Sequence, residues 1–324
     1  MSSAMGRTCP RAYRTSPDGL NTAPVLETKT AYFIGGLYGN ELALARILEM
    51  AHEERQKGLP EPSLVFNGDF HWLNAESAAM QRITDAILAH HPTAGNVELE
   101  LARPSEDAGC GCAYPAWVDD AMVERSNQIM HRLQSVAACT PGLSDQLQRL
   151  PLQRRVQVGD CRIGVVHGDP ESVAGWELAL EQMPSSGSIT PRLQAWFQCA
   201  QVDVLAGSHT CVAYLQDFSV DNQRRLVMNN GAAGMPNFQQ DPRGLISRIS
   251  LHPSPFEPVY GTRLGGVYCD AVSVEWPVAE CLEWLARLWP AGSPADRSYR
   301  SRFQQGPAHY PSQADRITET VGPL

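Results

Sequence analysis

Short apolar runs that stop at polar, glycine-containing loops constrain this 324-residue chain more than any other feature. Residues 29–34 run into Gly35-Gly36, residues 63–66 into Asn67-Gly68-Asp69, and residues 155–166 into His167-Gly168-Asp169. Residues 202–206 reach Gly207-Ser208-His209-Thr210, and residues 226–228 reach Asn229-Asn230-Gly231. Helical spacing follows the first two runs, over 41–52 with Leu42, Ile47, Leu48 and Met50 apolar, and over about 75–88. A helix is expected over 118–133, with Asp119, Asp120 and Glu124 complementing its dipole. Residues 155–166 read as a hairpin across Gly159-Asp160, residues 171–182 and 192–201 as helices, and residues 245–251 as a strand. Residues 95–115, with Cys110-Gly111-Cys112, read as irregular. Strand-loop-helix units of this kind define an α/β fold, and polar loops at strand ends converge on one crevice. The pattern alone leaves a doubly wound sheet and a sandwich equally open.

With 43% hydrophobic and 19% charged residues the chain can bury a full core. No stretch of about eighteen apolar residues is present, and residues 1–24 have no apolar h-region, so neither a membrane span nor a signal peptide is expected. Polar residues 1–28 read as a disordered or tail segment, 29–290 as the folded domain and 291–324 as a surface-wrapping extension. Nine cysteines without framework spacing predict a reducing cytoplasm. A formal net charge of -9 argues against nucleic acid, which needs a positive surface, and for a small substrate.

Five loop sequences carry the functional signal: Gly36-Leu37-Tyr38-Gly39-Asn40, Gly68-Asp69, Gly95-Asn96-Val97-Glu98, His167-Gly168 and Ser208-His209-Thr210-Cys211. In this order they resemble the motifs of the calcineurin-like metallophosphoesterases, which read Asp-x-His-Gly-Asn, Gly-Asp-x-x-Asp, Gly-Asn-His-Asp/Glu, His-Gly and Gly-His-Thr-His. Each motif alone is weak evidence; five in register over residues 30–250 are much stronger. The resemblance implies a four-layer α/β/β/α sandwich of two mixed sheets flanked by helices. It also implies hydrolysis of a phosphomonoester or phosphodiester by a metal-bound hydroxide.

That family shares one bridging Asp between two metals. Here Gly36, Tyr38 and Cys211 stand where the other ligands of the first metal belong, whereas the second set, Asp69, Asn96, His167 and His209, is intact. Two oxygen and two nitrogen donors suit one Zn, Mn or Fe ion better than Ca or Mg. Val97 replaces a His that assists the leaving group, so His71 and Glu98 become the candidate proton carriers. Asn40 and Arg243 are candidate substrate contacts, and residues 298–302, with Arg300 and Arg302, another. Cys211 is a further candidate metal ligand, joined by Cys110 or Cys112 if that loop reaches the site.

Blander readings compete at several positions. His71 and His131 can be hydrogen-bonded structural residues, Tyr38 can fill the space of a lost metal, and Arg243 can be ordinary charged surface. Trp176, Trp196, Trp284 and Trp289 read as core, and Cys139, Cys161, Cys199, Cys269 and Cys281 as buried thiols. The enzyme reading is a metal-dependent phosphoesterase acting on a small phosphorylated substrate. Its competitors are a catalytically degenerate binding or regulatory protein and a metalloenzyme rebuilt around cysteine ligands.

Overall fold

The structure is a computed structural model that describes residues 5–318. Its strands are β1 (Val25–Thr28), β2 (Thr30–Ile34), β3 (Ser63–Phe66), β4 (Gln153–Val158), β5 (Cys161–Val166), β6 (Val204–Gly207), β7 (Tyr214–Val220), β8 (Gln223–Asn229), β9 (Gly244–Ser250), β10 (Pro258–Leu264), β11 (Val267–Val274) and β12 (Asp315–Arg316). The helices are α1 (Pro17–Thr22), α2 (Glu41–Gln56), α3 (Ser77–Leu88), α4 (Asn96–Ala102), α5 (Asp120–Ala138), α6 (Leu143–Leu147), α7 (Pro191–Ala200), α8 (Val278–Leu288), α9 (Pro294–Gln305) and α10 (Pro311–Ala314).

Two mixed sheets result, one ordered β1-β4-β5-β6-β8-β7-β12 and the other β10-β11-β9-β2-β3. All five residues of β2 are buried, and their alternation explains the layering. Ala31 and Phe33 pack toward Ile163, Val165 and Val204 of the larger sheet, while Tyr32 and Ile34 pack on the other side with residues of α2, α3 and α5. A strand buried on both faces reads as a continuous apolar run, which is why sequence alone could not tell a sandwich from a doubly wound sheet. Helix α7 covers the outer face of the larger sheet through Leu193, Trp196 and Phe197. The order is helices, sheet, sheet, helices, the expected sandwich.

Parallel pairing sets the position of the site. β2 and β3 run parallel with Ile34 opposite Phe66. β5 pairs parallel with β6, and β6 with β8, Gly207 lying opposite Asn229. The loops after these five strands therefore emerge at one edge. Asn67 fastens the two sheets there: its buried side chain donates to the carbonyls of Val166, at 2.8 Å, and Ala206, at 3.3 Å.

Several expectations are corrected. Residues 5–28 are not a free tail, because Tyr13 and Leu20 are fully buried and β1 pairs parallel with β4 at the edge of the larger sheet. The Arg7 guanidinium also donates to the carbonyls of Pro115 and Val118. Residues 1–4 and 319–324 lie outside the described residues. The segment 95–115 contains α4, whose start is fixed by the Glu98 side chain accepting from Gly95 N. Residues 171–182 form turns and one 3-10 turn (Leu180–Gln182) rather than a helix, so Trp176 is not a helical core residue. The extension is more than a wrap: β12 adds to the larger sheet beside β7, and α9 packs on α5 and α8. Cys139 and Cys199 are exposed rather than buried. Among the described residues, no helix is long and apolar enough to cross a membrane.

Candidate metal site

The loop after β3 turns sharply, with Gly68 at φ +76° and Asp69 at φ +56°. A Cβ on Gly68 would lie 2.5 Å from His167 Nδ1, and one on Gly95 would lie 2.4 Å from Asp69 Oδ1. These two glycines let three loops close on one point, where any side chain would hold them apart. Glu98 fixes the same turn from below. Its Oε2 accepts from Asp69 N at 2.7 Å and from Gly95 N at 2.9 Å, tying the second and third loops together.

At that point His167 Nε2 lies 3.2 Å from Asn96 Oδ1, 3.3 Å from Asp69 Oδ2 and 3.3 Å from His209 Nδ1. Backbone carbonyls dictate which atoms face inward. His167 Nδ1 donates to Asn67 O at 2.8 Å, so Nε2 carries the lone pair. His209 Nε2 donates to Cys112 O at 3.1 Å, so its Nδ1 carries the lone pair. Asn96 Nδ2 donates to Cys110 O at 3.2 Å, which turns Oδ1 toward the histidines. Four acceptor atoms thus converge with no donor among them. Bringing buried lone pairs together is unfavourable unless a cation, a metal ion or a proton, sits between them. Ligands about 2.0–2.1 Å from a zinc ion at tetrahedral angles stand about 3.3 Å apart, which is the spacing between His167 Nε2 and each of the other three atoms. The residues therefore fit a single divalent ion.

The electrostatics agree. Burial opposes a charge on His167, but the adjacent Asp69 outweighs it and raises its pKa. Burial, then the proximity of His167, pushes His209 down to about 4. Burial opposes ionisation of Asp69, and His167 overrides it, so the carboxylate is held below its usual range.

The place where the resemblance would put a first metal is filled instead. A Cβ on Gly36 would lie 2.6 Å from Tyr38 Cε2, so the Tyr38 ring occupies the room that a larger side chain at position 36 would take. The Tyr38 hydroxyl donates to Cys211 Sγ, and the Cys211 thiol donates to Ser208 O at 3.1 Å. Burial raises the pKa of both groups, Cys211 to about 12. Among the described residues, the only group of three or more His, Cys, Asp and Glu side chains spaced for an ion is Asp69, His167 and His209. No cysteine joins it. The loop of Cys110 and Cys112 does reach the site, through both carbonyls and through Cys112 Sγ, which accepts from Asn96 Nδ2 at 3.7 Å, but neither sulfur is among the clustered ligand atoms.

Other expected site residues are placed elsewhere. His71 is fully buried, bonded to Thr84 Oγ1 at 2.8 Å and near Asn74 at 3.3 Å, and burial lowers its pKa to about 3. Glu98 is spent on backbone amides. Neither lines the cavity over the cluster. Asn40 caps α2, accepting from Ala43 N at 3.1 Å and donating to Gly234 O at 3.1 Å. Arg243 is paired with Asp241 through both Nε and Nη2. The residues that sequence reasoning missed are Asn67 and Trp176, whose Nε1 donates to Cys112 O at 2.8 Å and whose ring meets His209 edge-on.

This architecture is a sandwich of two mixed sheets flanked by helices, with the candidate ligands at the ends of parallel strands. A hypothetical protein of Pyrococcus horikoshii superimposes over 88% of this chain and 100% of its own, at 14% identity and a TM-score of 0.56. A metallophosphoesterase of Sphaerobacter thermophilus aligns over 86% of this chain and 100% of its own, at 17% identity and a TM-score of 0.49. A predicted phosphoesterase of Streptococcus pneumoniae aligns over 68% and 82%, at 12% identity and a TM-score of 0.32. Comparison with protein-family models and with curated proteins finds no match.

Proposed function

We propose that this chain is a metal-dependent phosphoesterase that works with one ion, held by Asp69, Asn96, His167 and His209. The observation that carries the reading is the convergence of four acceptor atoms whose orientations are imposed by backbone carbonyls. When bound, a divalent ion there supplies a Lewis acid and lowers the pKa of a bound water to near neutrality. Asp69 and the two histidines orient that charge toward a cavity of about 470 Å³, which also carries Trp72, Tyr114 and Trp176 on its walls.

Proton supply to the leaving group is the weak step. Val97 lines the cavity where the resemblance would put a His, and the tyrosines that line it have raised pKa values through burial, which makes them poor acids. General acid-base help is worth about a hundredfold to ten-thousandfold. The substrates favoured are small phosphoesters whose leaving group departs without a proton, such as aryl esters. Nine free cysteines agree with a reducing cytoplasm.

The test is hydrolysis of p-nitrophenyl phosphate and bis-p-nitrophenyl phosphate by protein loaded with Zn, Mn or Fe, beside His209→Ala. Metal-dependent turnover that disappears in the variant supports the reading. A fully loaded protein with no turnover on either ester would falsify it. The second reading, a phosphate-binding protein on the same fold, is favoured by Tyr38 filling the first metal position.

A further inference from the structure

The cavity over the ligand cluster has a wall that the sequence pattern did not place there. Helix α9 and the turn after it supply Ser298, Tyr299, Ser301, Arg302 and Gly306, opposite Asp69, Asn96 and His209. The wall is braced. Tyr299 OH accepts from Trp72 Nε1 at 2.8 Å, Ser298 Oγ accepts from Arg125 Nε at 2.8 Å, and Gln240 N donates to Gln305 O at 2.7 Å.

Arg302 is held within this wall by two carbonyls, Nε donating to Pro236 O at 3.2 Å and Nη2 to Cys211 O at 3.1 Å. Nη1 has no hydrogen-bond partner among the described residues, and no carboxylate there lies within ion-pair range of the guanidinium. Arg162, Arg224, Arg225, Arg243 and Arg248, by contrast, each have a carboxylate partner. A guanidinium on a cavity wall with a free donor and no counter-charge is available to an anion. Its side of the cavity is also specific. Arg302 bonds Cys211, which stands where the last ligand of the missing first ion belongs, and its charge is felt by both Tyr38 and Cys211.

We propose that Arg302 is the anion-binding group of this site, taking phosphoryl oxygens through Nη1 on the side vacated by the first ion while the Asp69 cluster faces the other side. A guanidinium suits this because its planar fork can bond two oxygens at once and stays charged at any working pH. The inference rests on the phosphoesterase reading for the identity of the anion. It needs only the cavity and the unpaired guanidinium for its location.

The experiment is calorimetric titration with inorganic phosphate of wild type, Arg302→Gln and Arg302→Lys, with metal content and unfolding midpoint measured on each sample. About one ion in all three, with phosphate binding at least tenfold weaker in Arg302→Gln and intermediate in Arg302→Lys, is expected. Phosphate affinity unchanged in a metal-loaded Arg302→Gln overturns the proposal and leaves the metal site standing. An ion-free wild type whose phosphate binding still needs Arg302 supports the proposal and overturns the single-ion phosphoesterase. An ion-free wild type that binds no phosphate overturns both. Should Arg302→Gln unfold early, modification of folded wild type by phenylglyoxal decides the matter. Phosphate should then protect Arg302, read by peptide mass, and a residue that phosphate does not protect, or that never reacts, sinks the assignment.

Discussion

The two halves of the crevice share Asp69 and the same strand ends, yet their contents are opposite. On one side Asn96 Oδ1 and His209 Nδ1 each stand 3.2–3.3 Å from His167 Nε2, lone pair toward lone pair with no donor between them. On the other, Gly36, Tyr38 and Cys211 make a neutral, packed surface in which the hydroxyl and thiol satisfy one another and Ser208 O. The first half is incomplete without a cation. The second is complete without one. A metal position lost by simple decay would leave an orphaned polar group, and none is seen at Tyr38 or Cys211. The ring over Gly36 is a replacement, and the pair should behave as a unit.

The largest test of that contrast is Tyr38→Ala. Removing a buried aromatic ring typically costs about 3–5 kcal/mol, and the low end is expected because the ring already borders a cavity. Metal content should not change, since the bond from Tyr38 to a ligand residue runs from its backbone N to Asp69 O at 3.3 Å and survives the substitution; loss of the ion in this variant, by elemental analysis, would break the division into two halves. Chelation tests the other half. Metal binding only to the folded state, at a hundred times its dissociation constant, stabilises by about 2.7 kcal/mol, so EDTA should lower the unfolding midpoint of wild type and leave His209→Ala unmoved. Acidification should release the ion too. The raised pKa of His167 means that a proton competes as pH falls through that value, so the metal-linked stability is present above it and lost below.

Smaller, but more diagnostic, is the coupling between positions 36 and 38. A methyl on Gly36 would meet the Tyr38 ring at 2.6 and 2.8 Å, and overpacking of this kind costs about 1–3 kcal/mol. In the Tyr38→Ala background the same Gly36→Ala change should cost much less, giving a coupling of about 1 kcal/mol or more in denaturant unfolding. Additive costs would mean that the ring is not what fills the vacated position.

What the sequence made legible, and what it hid, follows from the range of the contacts. β3 falls on the expected residues, and α2 and α3 start within about two residues of expectation, because short strands and amphipathic helices are written in local periodicity. Gly68-Asp69 and Gly95-Asn96 were singled out through the motif resemblance, and the structure shows why a glycine precedes each: the loops approach too closely for a Cβ. Asn40 misled because an N-cap and a ligand loop use the same residue. His71 misled because its partners, Thr84 and Asn74, are set by packing. Arg302 could be named only as part of an arginine-bearing stretch, since what separates it from Arg243 is a carboxylate 2.7 Å from one and none near the other. Nothing local marks that. The tail residues Tyr13 and Leu20 were hidden for the same reason: two apolar side chains in a polar segment become core only when distant elements arrive, Val173, Ala174 and Glu100 around Tyr13 and α7 with the larger sheet around Leu20.

The smallest expected effect concerns the carbonyls that aim the ligands. Cys112 O accepts from both His209 Nε2 and Trp176 Nε1, so the indole holds the carbonyl that fixes the His209 tautomer. Trp176→Phe keeps most of the ring against His209 and removes one donor. Partners of this kind are worth about tenfold to a hundredfold in metal affinity, and the low end is expected because His209 still has its carbonyl. A titration of metal-free protein with zinc should therefore show affinity reduced by about tenfold, whereas Tyr38→Phe, on the filled side, should show none. Equal losses in the two variants would mean that the halves are mechanically one site, and the sharp division drawn from their chemistry would fail.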